Sequence, residues 1–299
     1  MQRLKRKDDI LYLLILGMLP FFLSNCEYDP EEPVPSYLTI KNVSLATTPG
    51  QGAPTHLIKD IWVIIDSVGE HGIYPVKGRI PVIAKGQKKL LLLPGVRVNG
   101  VRNESIIYEP YKAIPLVHEF SPGRVDTVDL EFSYKDRTKF PFVEDFESSA
   151  NWSSQDTSKY LIKKWQLVPS TQVLNGTKEA RLTLLPKDSI FRAELTSGEW
   201  INGAAFVNKK VYMEIDVNSK DLQLVLGFYI KEGTQFRKTL NAFILPDSVG
   251  QWRKFYFDFT RVLEPNANKY YKVLFFTSVD PTTPKEAELR IDNLKIVTY

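Results

Sequence analysis

From residue 36 onward the chain alternates apolar and polar side chains in short runs broken by Gly, Pro, Asn and Asp, and no stretch has the three-to-four spacing of a long amphipathic helix. The clearest runs are 37–45, 60–67, 79–84, 89–93 and 125–134 in the first half and 211–217, 222–230, 252–259, 271–277 and 288–297 in the second. Within 252–259, Phe255, Phe257 and Phe259 alternate with Lys254, Tyr256 and Asp258, which predicts a strand with one buried face. Many such runs joined by turn-rich loops predict an all-β protein of two β-sandwich domains. The polar stretch 134–139 marks the boundary, giving a first domain over 36–138 and a longer, more aromatic one over 140–299. The first reads as an immunoglobulin-like or related small sandwich. No internal repeat of 20–50 residues is evident.

The amino terminus follows a different pattern. Arg3, Lys5, Arg6 and Lys7 precede an apolar run at 10–23, the layout of a secretory signal. As a helix that run would rise about 21 Å, short of the roughly 30 Å hydrocarbon core, so cleavage is expected rather than a permanent span. It ends in Leu23-Ser24-Asn25-Cys26, which resembles the lipobox of bacterial lipoproteins, with Asn25 in place of the usual small residue. The resemblance implies a signal peptide over 1–25 and a lipid-modified Cys26. Acyl chains, each buried CH₂ contributing about 0.8 kcal/mol, would anchor the chain stably. The acidic, proline-rich segment 26–35 that follows cannot pack and reads as an extended tether. An acidic cluster directly after the acylated cysteine is similar to the surface-export signal of Bacteroidota lipoproteins. It implies an outer-membrane, surface-exposed location with the membrane as one partner.

Composition narrows the chemistry. Cys26 is the only cysteine of the 299 residues, so intramolecular disulfides, cysteine zinc sites and iron–sulfur clusters are excluded. The formal charge of +4 falls to +2 once 1–25 is removed, and no Lys/Arg cluster interleaved with aromatics marks a nucleic-acid surface. His56, His71 and His118 are scattered and form no metal-binding pair; they read as loop or surface residues. The familiar hydrolase and nucleotide motifs are absent, and Glu144, Asp145 and Glu147 crowd one strand rather than flanking a scissile bond. A non-enzymatic protein is therefore expected.

Three features of 140–299 recur together in jelly-roll modules of the carbohydrate-binding type: the opening Glu144-Asp145-Phe146-Glu147 followed by Trp152, the segment Gly250-Gln251-Trp252 with the strand after it, and the closing 289–296. The second domain resembles that family, which implies a jelly roll. The family's structural calcium site falls on Glu147 and Asp292 here, so a structural calcium is implied as the one cofactor. The family stacks sugar rings on exposed aromatics, and Trp165, Trp200, Tyr229, Phe236, Tyr270 and Tyr271 are the candidates. Trp152 and Trp252 read as core. Four Asp-Ser/Thr-aliphatic triplets, centred on Ser67, Thr127, Ser189 and Ser248, match the O-glycosylation pattern of Bacteroidota. Together these features predict first a binding or scaffold subunit of an envelope protein assembly, second a surface glycan-binding lipoprotein and, distantly, a glycosidase.

Overall fold

A computed structural model describes residues 34–66, 70–99, 105–147, 152, 166–169, 176–184, 192–245, 250–263, 266–278 and 286–299. The signal segment, Cys26, Trp165, Ser67, Ser189 and Ser248 lie outside the described residues. Among the described residues no helix is long and apolar enough to cross a membrane.

The chain is all-β. Its first sandwich is built from β1 (Ser36–Ala46), β2 (Asp60–Ile65), β3 (Glu70–Pro75), β4 (Arg79–Val82), β5 (Gly86–Val96), β6 (Ile106–Ile107), β7 (Ile114–Phe120) and β8 (Val125–Ser133). A three-stranded sheet has the order β4-β1-β8, and the facing sheet runs β3-β2-β5-β6 with β7 also paired to β5. β1 and β8, far apart in sequence, pair in parallel, with a register shift between Ile40 and Asn42. Alternation delivers the core: Leu38, Ile40, Ile61, Val63, Leu90, Leu92, Leu130 and Phe132 are all buried between the two sheets.

The jelly-roll sandwich contains β9 (Lys139–Glu144), β10 (Gln166–Pro169), β11 (Lys178–Leu184), β12 (Arg192–Thr196), β13 (Ile201–Asn202), β14 (Val211–Lys220), β15 (Gln223–Glu232), β16 (Gln235–Ile244), β17 (Arg253–Asp258), β18 (Lys269–Ser278) and β19 (Ala287–Thr298). One sheet has the order β10-β11-β19-β14-β17 with β9 on β19; the other runs β12-β18-β15-β16 with β13 on β18. Met213, Ile215 and Val217 of β14 face Leu224, Leu226, Phe228 and Ile230 of β15 across the core. Trp152 joins it, stacked between Phe146 at 5.6 Å and Phe275 at 5.1 Å, with its indole N–H donating to Glu144 Oε2 at 2.9 Å. β15 and β16 form a hairpin closed by Gly233 at φ +58°, the positive φ that a two-residue type II′ turn requires at its first position.

One expectation needs correction. The strand at 252–259 is not buried on a single face. Phe257 and Phe259 enter the jelly-roll core, yet Lys254 and Tyr256 on the opposite face are 5% and 1% exposed. Tyr256, with Tyr212 and Val297, packs into the core of the first sandwich. The β10-β11-β19-β14-β17 sheet is thus covered on both sides, by its own partner sheet and by the first sandwich. The first sandwich also reaches round the sheet's edge: Val98 forms a parallel bridge to Tyr256, and Asn99 N–H donates to the Tyr256 carbonyl at 2.9 Å. Edge backbone groups of β17 are satisfied in this way.

Candidate functional site

The β12-β18-β15-β16 sheet has an outer face with a different character. Along β15 the inward residues Leu224, Leu226, Phe228 and Ile230 are buried, so Tyr229 and Lys231 point outward. Cross-strand partners share a face. Tyr229 stands opposite Lys272 of β18 and Lys238 of β16, and Lys231 opposite Tyr270 and Phe236. The result is a chequerboard of aromatic and cationic side chains.

Trp200, just before β13, completes it. Its ring centroid lies 6.1 Å from Tyr229 and 6.4 Å from Phe236, and the Tyr229 and Phe236 rings are stacked at 5.7 Å with 18° between planes. Phe236 is 53% exposed and Tyr270 38% exposed, while Trp200 and Tyr229 are half-buried. Lys272 Nζ sits 4.8 Å from the Trp200 ring centroid. Burial pushes the Lys272 ammonium below its ordinary range, whereas Lys238 is paired with Glu194 Oε2 at 2.8 Å.

Beside this row the floor of the face is Gly227, where a Cβ would stand 1.8 Å from the Thr239 carbonyl oxygen. The register shift between Leu226 and Gly227 brings β16 that close. Leu240 and Phe243 of β16, 52% and 61% exposed, extend the apolar strip along the sheet edge.

Of the aromatics singled out in the sequence, the structure brings Trp200, Tyr229, Phe236 and Tyr270 to one face. Tyr271 is a correction. It is fully buried, edge-on to Phe206 at 5.5 Å and Phe228 at 6.2 Å, because it occupies the inward phase of β18. Trp165 lies outside the described residues. Lys231, Lys238 and Lys272 were not singled out. Their signal was the aromatic-x-lysine spacing shared by 229–231, 236–238 and 270–272, which puts both residue types on one face of each strand.

Glu147 and Asp292 come into one neighbourhood, but Glu147 already has donors. Its Oε1 accepts from the N–H groups of Thr177 at 2.6 Å and Lys178 at 2.8 Å, and its Oε2 accepts from the Thr177 hydroxyl at 2.6 Å. Lys178 Nζ donates to the Glu147 carbonyl at 2.8 Å. Burial would raise the Glu147 carboxyl, yet the Thr177 and Lys178 donors hold it below the usual range. Asp292 is pushed up to about 8 by burial; the Asn293 N–H opposes the rise, and Asp216, Glu147 and Glu179 add to it. No group of three or more His, Cys, Asp or Glu side chains among the described residues is arranged to hold a metal. Glu147 thus sits in a hydrogen-bonded turn with Thr177 and Lys178.

A second polar cluster lies between the sandwiches. Glu214 of β14, fully buried, accepts from Tyr108 Oη at 2.8 Å and from Tyr134 Oη at 2.9 Å, and Lys254 Nζ is 3.7 Å away. Lys254 also donates to Thr55 Oγ1 at 3.0 Å and lies 3.8 Å from Asp216. Lys295 donates to the Ala53 carbonyl at 2.6 Å, close beside Gly52, whose φ of +70° suits glycine and where a Cβ would meet Lys295 Cε at 2.8 Å. Burial pushes Tyr108, Tyr111 and Tyr134 well above the phenol range, and the Glu214 charge adds to it, so all three remain protonated, Tyr108 and Tyr134 as donors to Glu214. Edge-on contacts of 4.7 to 5.0 Å join Tyr108 to Tyr111, Tyr212 and Tyr256.

His56 and His118 are not simple surface residues. His118 lies in β7 with Nε2 3.0 Å from Asp126 Oδ2, and His56 is partly buried at the interface, where burial lowers its pKa and the Val43 carbonyl opposes it. Thr127 is exposed on β8, and the Nε1 of half-buried Trp252 has no hydrogen-bond partner among the described residues.

No protein-family model and no curated protein matches the chain. Three solved structures illustrate what it resembles. A carbohydrate-binding module studied for promiscuous specificity within the β-sandwich superfamily is 10% identical, with a TM-score of 0.34 over 80% of this chain and 84% of that one. A family 11 carbohydrate-binding module from Clostridium thermocellum, in complex with a β-1,3-1,4-mixed-linked tetrasaccharide, is 13% identical at a TM-score of 0.35 and covers 51% of this chain and 92% of that one. SGBP-B from a xyloglucan utilization locus in Bacteroides uniformis is 10% identical at 0.34, covering 82% and 81%. At such scores the site rests on the chain's own geometry.

Proposed function

We propose that this chain is a non-catalytic glycan-binding lipoprotein, anchored through Cys26 at the outer surface of an outer membrane of the Bacteroidota type. The outer face of the β12-β18-β15-β16 sheet meets polysaccharide. The observation that carries this reading is the Trp200–Tyr229–Phe236 cluster: three mutually packed rings, one of them 53% exposed, on an open sheet face. The apolar face of a pyranose packs on such rings while lysine ammonium groups donate to its hydroxyls. Rings held by one another keep their orientation before ligand arrives, which lowers the ordering cost of binding. Calorimetry against a panel of neutral and acidic polysaccharides tests it. Trp200→Ala and Phe236→Ala should each weaken binding about tenfold or more with an unchanged circular dichroism spectrum. A panel in which nothing binds refutes the reading.

The exposed Leu240, Phe243 and Leu245 favour a second reading, docking of an envelope protein on the β16 edge. Co-purification of a stoichiometric partner that Phe243→Ser abolishes would support it over glycan capture.

A further inference from the structure

Lys272 is a nearly buried cation without a carboxylate. It is 7% exposed, and its ammonium has the Trp200 ring as its contact, with no ion pair or hydrogen bond among the described residues. Three other lysines of this domain meet carboxylates directly. Lys238 on the same row meets Glu194 at 2.8 Å, and Lys269 on the same strand meets Glu232 at 3.5 Å. At the domain interface Lys254 lies between Glu214 and Asp216. Partial withdrawal of an ammonium from water is unfavourable, and a cation–π contact offsets only part of that cost. Burial alone lowers the Lys272 ammonium, and no carboxylate among the described residues offsets it.

The position of this charge matters more than its burial. Lys272 is the cross-strand neighbour of Tyr229 and lies over Trp200, so its ammonium is set into the aromatic platform. Lys231 lies on the adjacent row, between Tyr270 and Phe236. A sugar ring stacked here would hold its exocyclic substituent within reach of a partly desolvated cation. An anionic substituent would gain a charge-assisted hydrogen bond there, and a neutral hydroxyl about half as much.

We propose that this platform selects anionic glycans, with the Lys272 ammonium donating to the carboxylate or sulfate ester of an acidic sugar stacked beside Trp200 and Tyr229. The inference rests on the glycan-binding reading above and deepens it to a ligand class. Uronic acids and sulfate esters share the chemistry, and matched polymer pairs separate them.

The test uses the full-length protein in detergent and measures its affinity for polygalacturonate against the fully methyl-esterified polymer, and for a sulfated galactan against the desulfated one. The acidic member of at least one pair should bind about tenfold more tightly, with the difference shrinking as salt is raised. Preference in the first pair alone identifies a carboxylate ligand; in the second alone, a sulfate ester. Lys272→Met keeps the aliphatic stem on Trp200 and should bring the two members of the preferred pair to equal affinity, and Lys272→Arg should restore the preference. Equal binding of charged and neutral members by the wild-type protein, or a preference that survives Lys272→Met, overturns the anionic assignment and leaves glycan binding standing. Binding of neither member of either pair, nor of any other glycan, overturns both.

Discussion

Glu214→Gln is the sharpest perturbation of the joint between the sandwiches. The side chain is fully buried and holds two phenol donors from the first sandwich, with Lys254 at 3.7 Å. A hydrogen bond to a charged group contributes about 1.5–3 kcal/mol, and removing one partner of a buried pair costs about 3–5 kcal/mol. Glutamine keeps the shape and one acceptor but turns its other end into a donor that faces Tyr134 Oη and Lys254 Nζ, so roughly 3 kcal/mol should be lost. At about 2–4 °C per kcal/mol for a domain of this size, the melting temperature should fall by about 6–12 °C. Because donors and acceptor belong to different sandwiches, the loss should also split one calorimetric transition into two. Lys220→Gln, at the exposed end of the same strand, is the control and should change stability by less than about 0.5 kcal/mol. A Glu214→Gln protein that melts within about 2 °C of wild type in a single transition would refute the claim that this network couples the domains.

The buried carboxyl Asp292 and ammonium Lys295 act in opposite pH windows. Between 3.8 and about 8 the unfolded chain releases the Asp292 proton that the folded chain retains, so its contribution falls as pH rises; between about 8 and 10.5 the folded chain releases the Lys295 proton that the unfolded chain retains, so stability recovers. Urea midpoints should pass through a minimum near pH 8, and Asp292→Asn, whose amide can donate to the facing Asp216, should flatten the acid-side slope. Gly227→Ala should lower the urea midpoint by about 1–3 kcal/mol equivalent, since its methyl meets the Thr239 carbonyl at 1.8 Å; an unchanged midpoint would show that β16 can shift freely. Cys26→Ser should move the protein from the membrane to the soluble fraction and abolish labelling by a palmitate analogue; retention in the membrane with label would sink the anchor.

The residues explain which parts were legible. Strand existence followed from period-two alternation wherever one phase was apolar, as in β14, β15, β18 and β19. β16 (QFRKTLNAFI) was missed because it is an edge strand with a register shift, so neither phase is cleanly apolar. The interface was illegible for a different reason. Lys254, Glu214, Asp216 and Lys295 look like a solvated face, and only the tertiary arrangement reveals that Tyr108, Tyr134 and the loop around Ala53 satisfy them. Aromatic identity alone could not separate Tyr270 from Tyr271; strand phase does, sending one outward and the other into the core.

The same residue type marks the difference between a structural and a ligand-directed face. Lys254, Lys295 and Lys272 are all nearly buried lysines on strands of the jelly roll. The first two lie on the sheet covered by the first sandwich, and each meets acceptors: Glu214, Asp216 and Thr55 for one, the Ala53 carbonyl and Tyr134 hydroxyl for the other. Both ammonium groups direct their hydrogen bonds to acceptors within the fold, which leaves nothing for a ligand, although burial still lowers Lys295 to about 8. Lys272 lies on the opposite sheet, and among the described residues its ammonium meets only the Trp200 ring. Because the interface occupies one side of the sandwich, a ligand has the other side to meet, and the uncompensated cation is on that side. A fold needing Lys272 for cohesion would have supplied it a hydrogen-bond acceptor, as it did for Lys238 two residues from Phe236. Lys272→Met should therefore raise the melting temperature or leave it unchanged while removing acidic selectivity, and a fall of several degrees would assign the lysine to the scaffold instead.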